Sequence, residues 1–358
     1  MKKISILHWT TTPFNLNKMG WVEVMEYNLL KRLQIEFDVK LFVPKLIGEE
    51  QNIYKIQHLD YLMKYDLFYY LHFILRNKKT DYLVGSNSPF LALFKPKKTL
   101  VLFHNYIRFL NSDIFLPFYG LFKVRYHKSH MIFCSEFLKD EFFKQYPMFP
   151  IKNVHVIFNA VDKKIITNRR EHYNQVRKIV FMGQWNYDKG FDLLIEAVKK
   201  LRTIRIDFEL YIIGSENLWN NKRKIYGGEI FASLDYIKNI NVLKQHKKLL
   251  NFISDKDILV VPSRWKEPFG IVAIEGLASG MIVITSGQGG LGDIIKNKYN
   301  GFIFKNNDLN DLVKKLDQVM DLKEEDLNRI RGNAYDSIKE KFTWDIYLRK
   351  LKNILQML

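Results

Sequence analysis

This 358-residue sequence is short of cysteine, of acidic residues and of long apolar runs, and each shortage excludes something. A single cysteine, Cys134, allows no internal disulfide and no Cys/His zinc cluster; it points to a reducing cytoplasm and an inert core thiol. No segment reaches the roughly 18 to 20 uninterrupted apolar residues that cross a bilayer, the nearest being the short Leu67–Leu75 region. The start, MKKISILHWTTTPF, has only a brief apolar run before His8, so it lacks the core of a signal peptide and reads as a first strand. Acid is scarce, with 38 Asp and Glu against 56 Lys and Arg and a net charge of +18. That excess suits anionic partners: nucleic acid, an anionic membrane face or phosphorylated small molecules. It is evenly spread, residues 1–160 holding 22 Lys and Arg against 13 Asp and Glu, so each half carries +9. A nucleic-acid module concentrates its charge and adds zinc spacing or an aromatic RNA signature; none is present, and no nucleic-acid partner is expected.

What the chain does have is an alternation of short Val-, Ile-, Leu- and Phe-rich runs with longer segments of helical period, the pattern of β-α units on a parallel sheet. Strands are expected over Ile4–Trp9, Val39–Pro44, Tyr82–Ser86, Thr99–His104, Met131–Ser135 and Val154–Asn159. A second set covers Lys178–Gly183, Glu209–Gly214, Ile240–Leu243, Ile258–Ser263, Ile282–Ser286 and Gly301–Phe304. Two sets of six imply an α/β protein of two doubly wound, Rossmann-like domains, which the chain length also favours. Between them Lys163–Lys178 (KKIITNRREHYNQVRK) is charged and poor in large apolar residues, as a linker should be. The domains are therefore drawn at 1–165 and 166–341, with 342–358 as a closing amphipathic helix capped by Thr343. Open α/β sheets bind ligands beyond the carboxyl ends of their strands, so chemistry is expected in a cleft between the two domains.

The segment Val260–Gly280 reads VVPSRWKEPFGIVAIEGLASG: a buried strand, a polar turn and a helix expected to begin near Pro268, proline being favoured at the first helical position. Phe269, Gly270 and Ile271 would then offer free N–H groups at a positive helix end, a site for phosphate or sugar oxygens. Glu267 precedes the helix and Glu275 lies inside it, about 10 Å along the axis from Pro268. Alone, such glutamates read as solvated surface residues. Here Ile271, Val272, Ile274 and Leu277 make the helix mostly apolar, so a glutamate on it must be satisfied, and two carboxylates so spaced can grip hydroxyls at two ends of one elongated ligand.

These residues resemble glycosyltransferase family 4, whose hallmark is a Pro-Ser strand end followed by two glutamates eight apart around a Phe-Gly helix start. Further segments match in order: IFNAVD (Ile157–Asp162), FMGQWNYDKGFDLLIEAVKKL (Phe181–Leu201), YIIGSEN (Tyr211–Asn217), TSGQGGLGDII (Thr285–Ile295) and NGFIF (Asn300–Phe304). The resemblance covers nearly all of the second half and is weaker in the first. It implies a GT-B fold, a nucleotide-diphosphate sugar held by the second domain, an acceptor held mainly by the first, the last helix bracing the first domain, and transfer with retention at the anomeric carbon.

By the same resemblance Lys189 binds the diphosphate beside Gly183 and Gly190, Glu275 binds the ribose hydroxyls, and Glu267, Pro268 and the Phe269–Ile271 backbone hold the donor sugar. Gly214 ends the next strand, and His104 stands where a family histidine reaches the donor sugar. Gln184 replaces a usual arginine, removing one cation; Lys266 and Arg264 either substitute for it or, the favoured reading, are exposed residues of a variable turn. Lys244 replaces a glycine of the base pocket, which leaves the base open between uridine, favoured, and guanosine. Met19–Gly20–Trp21 replaces paired glycines, so the acceptor-side loop at Gly20 and Trp21 is bulkier than usual. No cofactor or metal is expected beyond the donor co-substrate; Asp255 and Asp257 read as turn chemistry rather than a metal clamp. Tyr61–Lys79 and Tyr106–Lys128 mix aromatic and basic residues and suit an anionic bilayer carrying a lipid-linked acceptor, on the inner face of the plasma membrane. The expected enzyme is thus a hexosyl- or N-acetylhexosaminyltransferase of surface-polysaccharide synthesis. A nucleotide-sugar epimerase of related fold and a non-catalytic nucleotide-sugar-binding protein are the alternatives.

Overall fold

The structure, a computed structural model, describes residues 1–8, 14–15, 20–43, 46–47, 56–58, 72–88, 91–94, 98–106, 128–147, 149, 151–167, 176–215, 237–240, 253 and 255–358. The chain forms two compact units, Met1–Phe158 together with Tyr347–Leu358, and Asn159–Ile346. The first crossing thus comes before the polar stretch at 163–178 in which the sequence suggests it.

The first unit is built on a parallel sheet of β1 (Lys3–His8), β3 (Asp38–Val43), β5 (Ile56–His58), β6 (Tyr82–Ser86), β7 (Thr99–Phe103), β8 (His130–Phe133) and β9 (Val154–Val156). Their order is β5-β3-β1-β6-β7-β8-β9, and β2 (Phe14–Asn15) pairs with β4 (Leu46–Ile47) apart from it. The described sheet therefore has seven strands where six were expected. The addition is β5, whose Ile-Gln-His is too short for a periodicity to register. Helices α1 (Trp21–Leu33), α2 (Leu91–Phe94) and α3 (Glu136–Gln145) belong to this unit. The Ser135 hydroxyl starts α3 by accepting from Leu138 N at 2.9 Å, which satisfies one of the orphan donors of a helix start.

The second unit holds β10 (Lys178–Gln184), β11 (Glu209–Ser215), β12 (Ile237–Ile240), β13 (Ile258–Val261), β14 (Ile282–Thr285) and β15 (Phe302–Ile303), all parallel in the order β12-β11-β10-β13-β14-β15. β12 shares Ile240 with the Ile240–Leu243 run expected to form it, and residues 241–243 lie outside the described residues. Its helices are α4 (Lys163–Thr167), α5 (Phe191–Arg202), α6 (Ile271–Ala278), α7 (Leu291–Ile294), α8 (Leu309–Met320) and α9 (Glu324–Lys341), followed by α10 (Trp344–Met357), whose residues from Tyr347 onward lie in the first unit. There Lys352 pairs with Glu36 at 2.5 Å. β13 and β14 are buried along their whole length, as parallel strands covered on both faces must be. α5 buries Phe191, Leu194, Ile195, Val198 and Leu201, an i, i+3, i+4 stripe, against the core of Phe181, Val260 and Leu316. The strand order reverses between β10 and β13, the switch point at which such sheets open a crevice for ligands.

Candidate functional site

Both strands flanking that switch point deliver chemistry. After β10 the chain turns through Trp185–Gly190 into α5, and Asn186 holds the turn: its Oδ1 accepts from Lys189 N at 2.8 Å and its Nδ2 donates to Gln184 Oε1 at 3.0 Å. Gly190 caps α5 with φ 68°, and a Cβ there would overlap the Pro262 carbonyl, so only glycine lets the Lys189 turn lie against the end of β13. Gly183 and Gly214 are register partners on β10 and β11, which brings these two expected positions together at adjacent strand ends.

Past β13, Glu267 is 7% exposed and its Oε1 accepts from Lys189 Nζ at 2.6 Å and from Ser263 Oγ at 2.6 Å. The Lys189 ammonium also stands over the Trp265 ring, 5.6 Å from its centroid. The Glu267 backbone is tied to the Gly287–Gly290 loop: Glu267 N donates to Gln288 O at 3.3 Å and Gly290 N to Glu267 O at 2.7 Å. This tie corrects the expected helix start. Held to the loop, the residues before Gly270 do not coil; Gly270 adopts φ 112°, and α6 begins at Ile271 rather than near Pro268. Ala273 N donates to Gly270 O at 2.9 Å, so the N–H groups of Gly270, Ile271 and Val272 precede the first turn's bonding at the positive end of the helix.

Glu275 lies just over one turn into α6 and is 3% exposed. Its Oε2 has no hydrogen-bond partner among the described residues, and burial holds the carboxyl well above the usual range. A buried carboxyl oxygen without a partner among the described residues can accept from a ligand's hydroxyls. Phe269, 3% exposed, is part of the apolar support rather than a solvent-facing residue.

Arg264 does not replace the arginine missing at Gln184. Its guanidinium is bidentate to Asp192 at 2.6 and 2.8 Å, donates to Tyr187 O at 2.7 Å and to Asn307 Oδ1 at 2.6 Å, and lies over the Tyr187 ring. Lys266, in the same turn, is exposed. Lys244 lies outside the described residues, as do most of Tyr61–Lys79 and Tyr106–Lys128. In the first unit, His104 follows β7 and its N–H donates to Asn87 Oδ1 at 2.9 Å. Gly20 caps α1, whose first residue Trp21 is 37% exposed. Asp257 Oδ2 accepts from Arg177 N and Lys178 N, both at 2.8 Å, and Asp255 pairs with Lys178 and Lys256, so both carboxylates serve the entry to the sheet. Among the described residues no three His, Cys, Asp or Glu side chains are grouped to hold a metal ion. No described helix is long and apolar enough to cross a membrane.

Sequence reasoning missed Asn186 and Ser263, which orient Lys189 and Glu267; the Asn three residues before Lys189, an Asx-turn spacing, is the signal that could have found the first. It also missed a buried cluster in the first unit, where His8, last residue of β1, lies between Glu26 and Glu23 of α1. Burial opposes charge on His8, but Glu26 and then Glu23 outweigh it and hold the imidazole above its ordinary pKa.

The chain is similar to several known proteins. Residues 162–337, nearly the whole second unit, match the family described as glycosyl transferases group 1. An uncharacterized glycosyltransferase of Methanocaldococcus jannaschii, MJ1178, is 29% identical over 95% of this chain and 95% of its own. Among solved structures, a glycosyltransferase from Rickettsia africae superposes with TM-score 0.80 at 19% identity over 99% of this chain and 98% of its own. Anabaena HepE in complex with UDP-glucose superposes with TM-score 0.75 at 14% identity over the full length of both. The two-sheet architecture is that of GT-B glycosyltransferases.

Proposed function

We propose that this protein transfers a sugar from a nucleoside-diphosphate donor to a glycan or lipid-linked acceptor, with retention and without a metal ion; the match of residues 162–337 to the glycosyl transferases group 1 family supports the reading. The observation that carries the reading is the pairing of Lys189 with Glu267 after the two strands that flank the switch point of a parallel sheet, with Glu275, its Oε2 unpartnered among the described residues, buried in the helix that follows. In the step itself the bond from the anomeric carbon to the diphosphate oxygen breaks, the acceptor oxygen takes its place, and the acceptor proton leaves with the diphosphate. Negative charge grows on the leaving oxygen, and Lys189 Nζ with the N–H groups at the start of α6 is the cationic end that stabilises it. Glu267, already accepting from Lys189 and Ser263, holds a hydroxyl of the transferred sugar. Glu275 accepts from the ribose hydroxyls. UDP is the favoured nucleotide, supported by the likeness of the fold to a UDP-glucose complex; the first unit is assigned the acceptor, and surface-polysaccharide synthesis the setting.

Thermal stabilisation by UDP-, GDP- and ADP-sugars in the presence of EDTA tests this directly. A ligand bound only by the folded state at a hundredfold its Kd adds about 2.7 kcal/mol, a shift of several degrees. One nucleotide class raising Tm despite EDTA is the expected outcome; no shift with any of them refutes the donor site. Product analysis without acceptor separates the epimerase alternative, which would convert the donor, from a transferase, which would only hydrolyse it slowly.

A further inference from the structure

The chain enters the second unit at Asn159 and leaves it at Ile346, and these two points are fastened to each other and to the loop carrying Glu267. Val161 N donates to Phe342 O at 2.9 Å, and Val161 and Thr343 form a parallel bridge. Phe342, 1% exposed, sets its ring against Phe269 at a centroid distance of 6.1 Å and 61°. Phe269 sits two residues after Glu267 and next to Gly270, the cap of α6. From the same crossing the chain runs through Asp162 into α4, which packs against α6, the helix of Glu275. Two separate contacts thus connect the crossing segments to the two glutamates.

We infer that Phe342 is a positioning residue: through Phe269 it sets the Glu267–Gly270 turn, and it ties the state of that turn to the crossing segments at Val161 and Thr343. The inference rests on the proposed nucleotide-sugar site for its functional meaning, but the physical tie does not depend on any ligand. An edge-on aromatic pair contributes enough to alter a local opening equilibrium about two- to tenfold, and closely packed elements pass such a change on rather than absorb it.

Amide hydrogen exchange on the full chain tests it. Without ligand, Phe342→Leu should speed exchange about two- to tenfold at Ala273, the hydrogen-bonded amide of the 269–273 stretch, and Phe269→Leu should do the same at Val161. Phe342→Tyr, which keeps the ring, should restore wild-type rates, and β13 and β14 should be unchanged throughout. An unchanged rate at Ala273 in Phe342→Leu, or a rise spread over the whole unit, would overturn the inference, the second outcome marking simple destabilisation. With UDP added, exchange in the wild type should slow at both 269–273 and Val161, and in Phe342→Leu only at 269–273. Slowing at the loop without slowing at Val161 in the wild type also overturns it. If UDP slows neither, the nucleotide reading fails, and the ligand-free variants still decide the coupling.

Discussion

Glu275 and Lys189 make opposite demands on their surroundings. Glu275 is buried with a raised pKa, so the folded state holds its proton more tightly than the unfolded chain does. That is the reverse of the usual carboxylate: stability falls as pH rises from the ordinary value of 4.5 towards the raised one, and the loss then persists. Glu275→Gln lacks this penalty, so its Tm advantage over the wild type should be flat below that value and grow with pH above it in a thermal scan series. The same variant should weaken UDP binding about ten- to a hundredfold by calorimetry, because a carboxylate accepting hydroxyl hydrogen bonds contributes about 1.5–3 kcal/mol. His8 works the other way: its raised pKa gives stability that is fully present below 6.5 and is lost as pH climbs through the raised value, which His8→Gln should abolish. In the proposed reaction Lys189 meets charge on the leaving group, so Lys189→Ala should lower kcat/KM by about 10²–10³-fold, and it should lower Tm as well because Glu267 is left buried without its cation. The lysine and both glutamates could be singled out in the sequence because they stand in an ordered series of motifs that resembles a known family. Asn186 and Ser263 act on them through folded geometry, and His8 acquires its carboxylates only when α1 docks.

At the scale of elements, the site is a set of turns held open by glycine. Gly289 has φ 68°, and a Cβ there would strike the Glu267 backbone, while Gly190 would strike Pro262. Alanine at either position should cost about 1–3 kcal/mol and displace the turn that carries Lys189 or Glu267. Gly332, exposed in α9 with nothing within 4 Å of its would-be Cβ, is the control: Gly332→Ala should stabilise by about 0.5–1 kcal/mol in denaturant titration. Strand positions were readable because parallel strands are continuous apolar runs. The start of α6 was not: proline at a first helical position is a local preference, and it yields to the hydrogen bonds that join Glu267 to a loop distant in sequence.

For the whole molecule, the net charge of +18 and its even division remain the facts that any function must accommodate. The protein should bind anionic phospholipid vesicles at low ionic strength and release them as salt rises past a Debye length of about 8–10 Å, measured by co-flotation. Absence of binding at low salt would leave the acceptor to be delivered in solution. Two α/β units and their order along the chain were visible in the sequence, because β-α alternation is a property of the chain itself. The outer strand β5 was invisible, being three residues long and dependent on pairing with β3.

The sequence by itself determined the fold class and the two-unit plan, since each follows from periodicity, and it named candidate site residues through their resemblance to a family's motifs. Only the tertiary structure decided which of those residues act together. It spent Arg264 on Asp192, paired Lys189 with Glu267, left Glu275 buried without a partner for its Oε2 among the described residues, and placed Phe342 against Phe269. These outcomes depend on distances between residues remote in the chain, and distance is the quantity that a linear order of side chains does not contain.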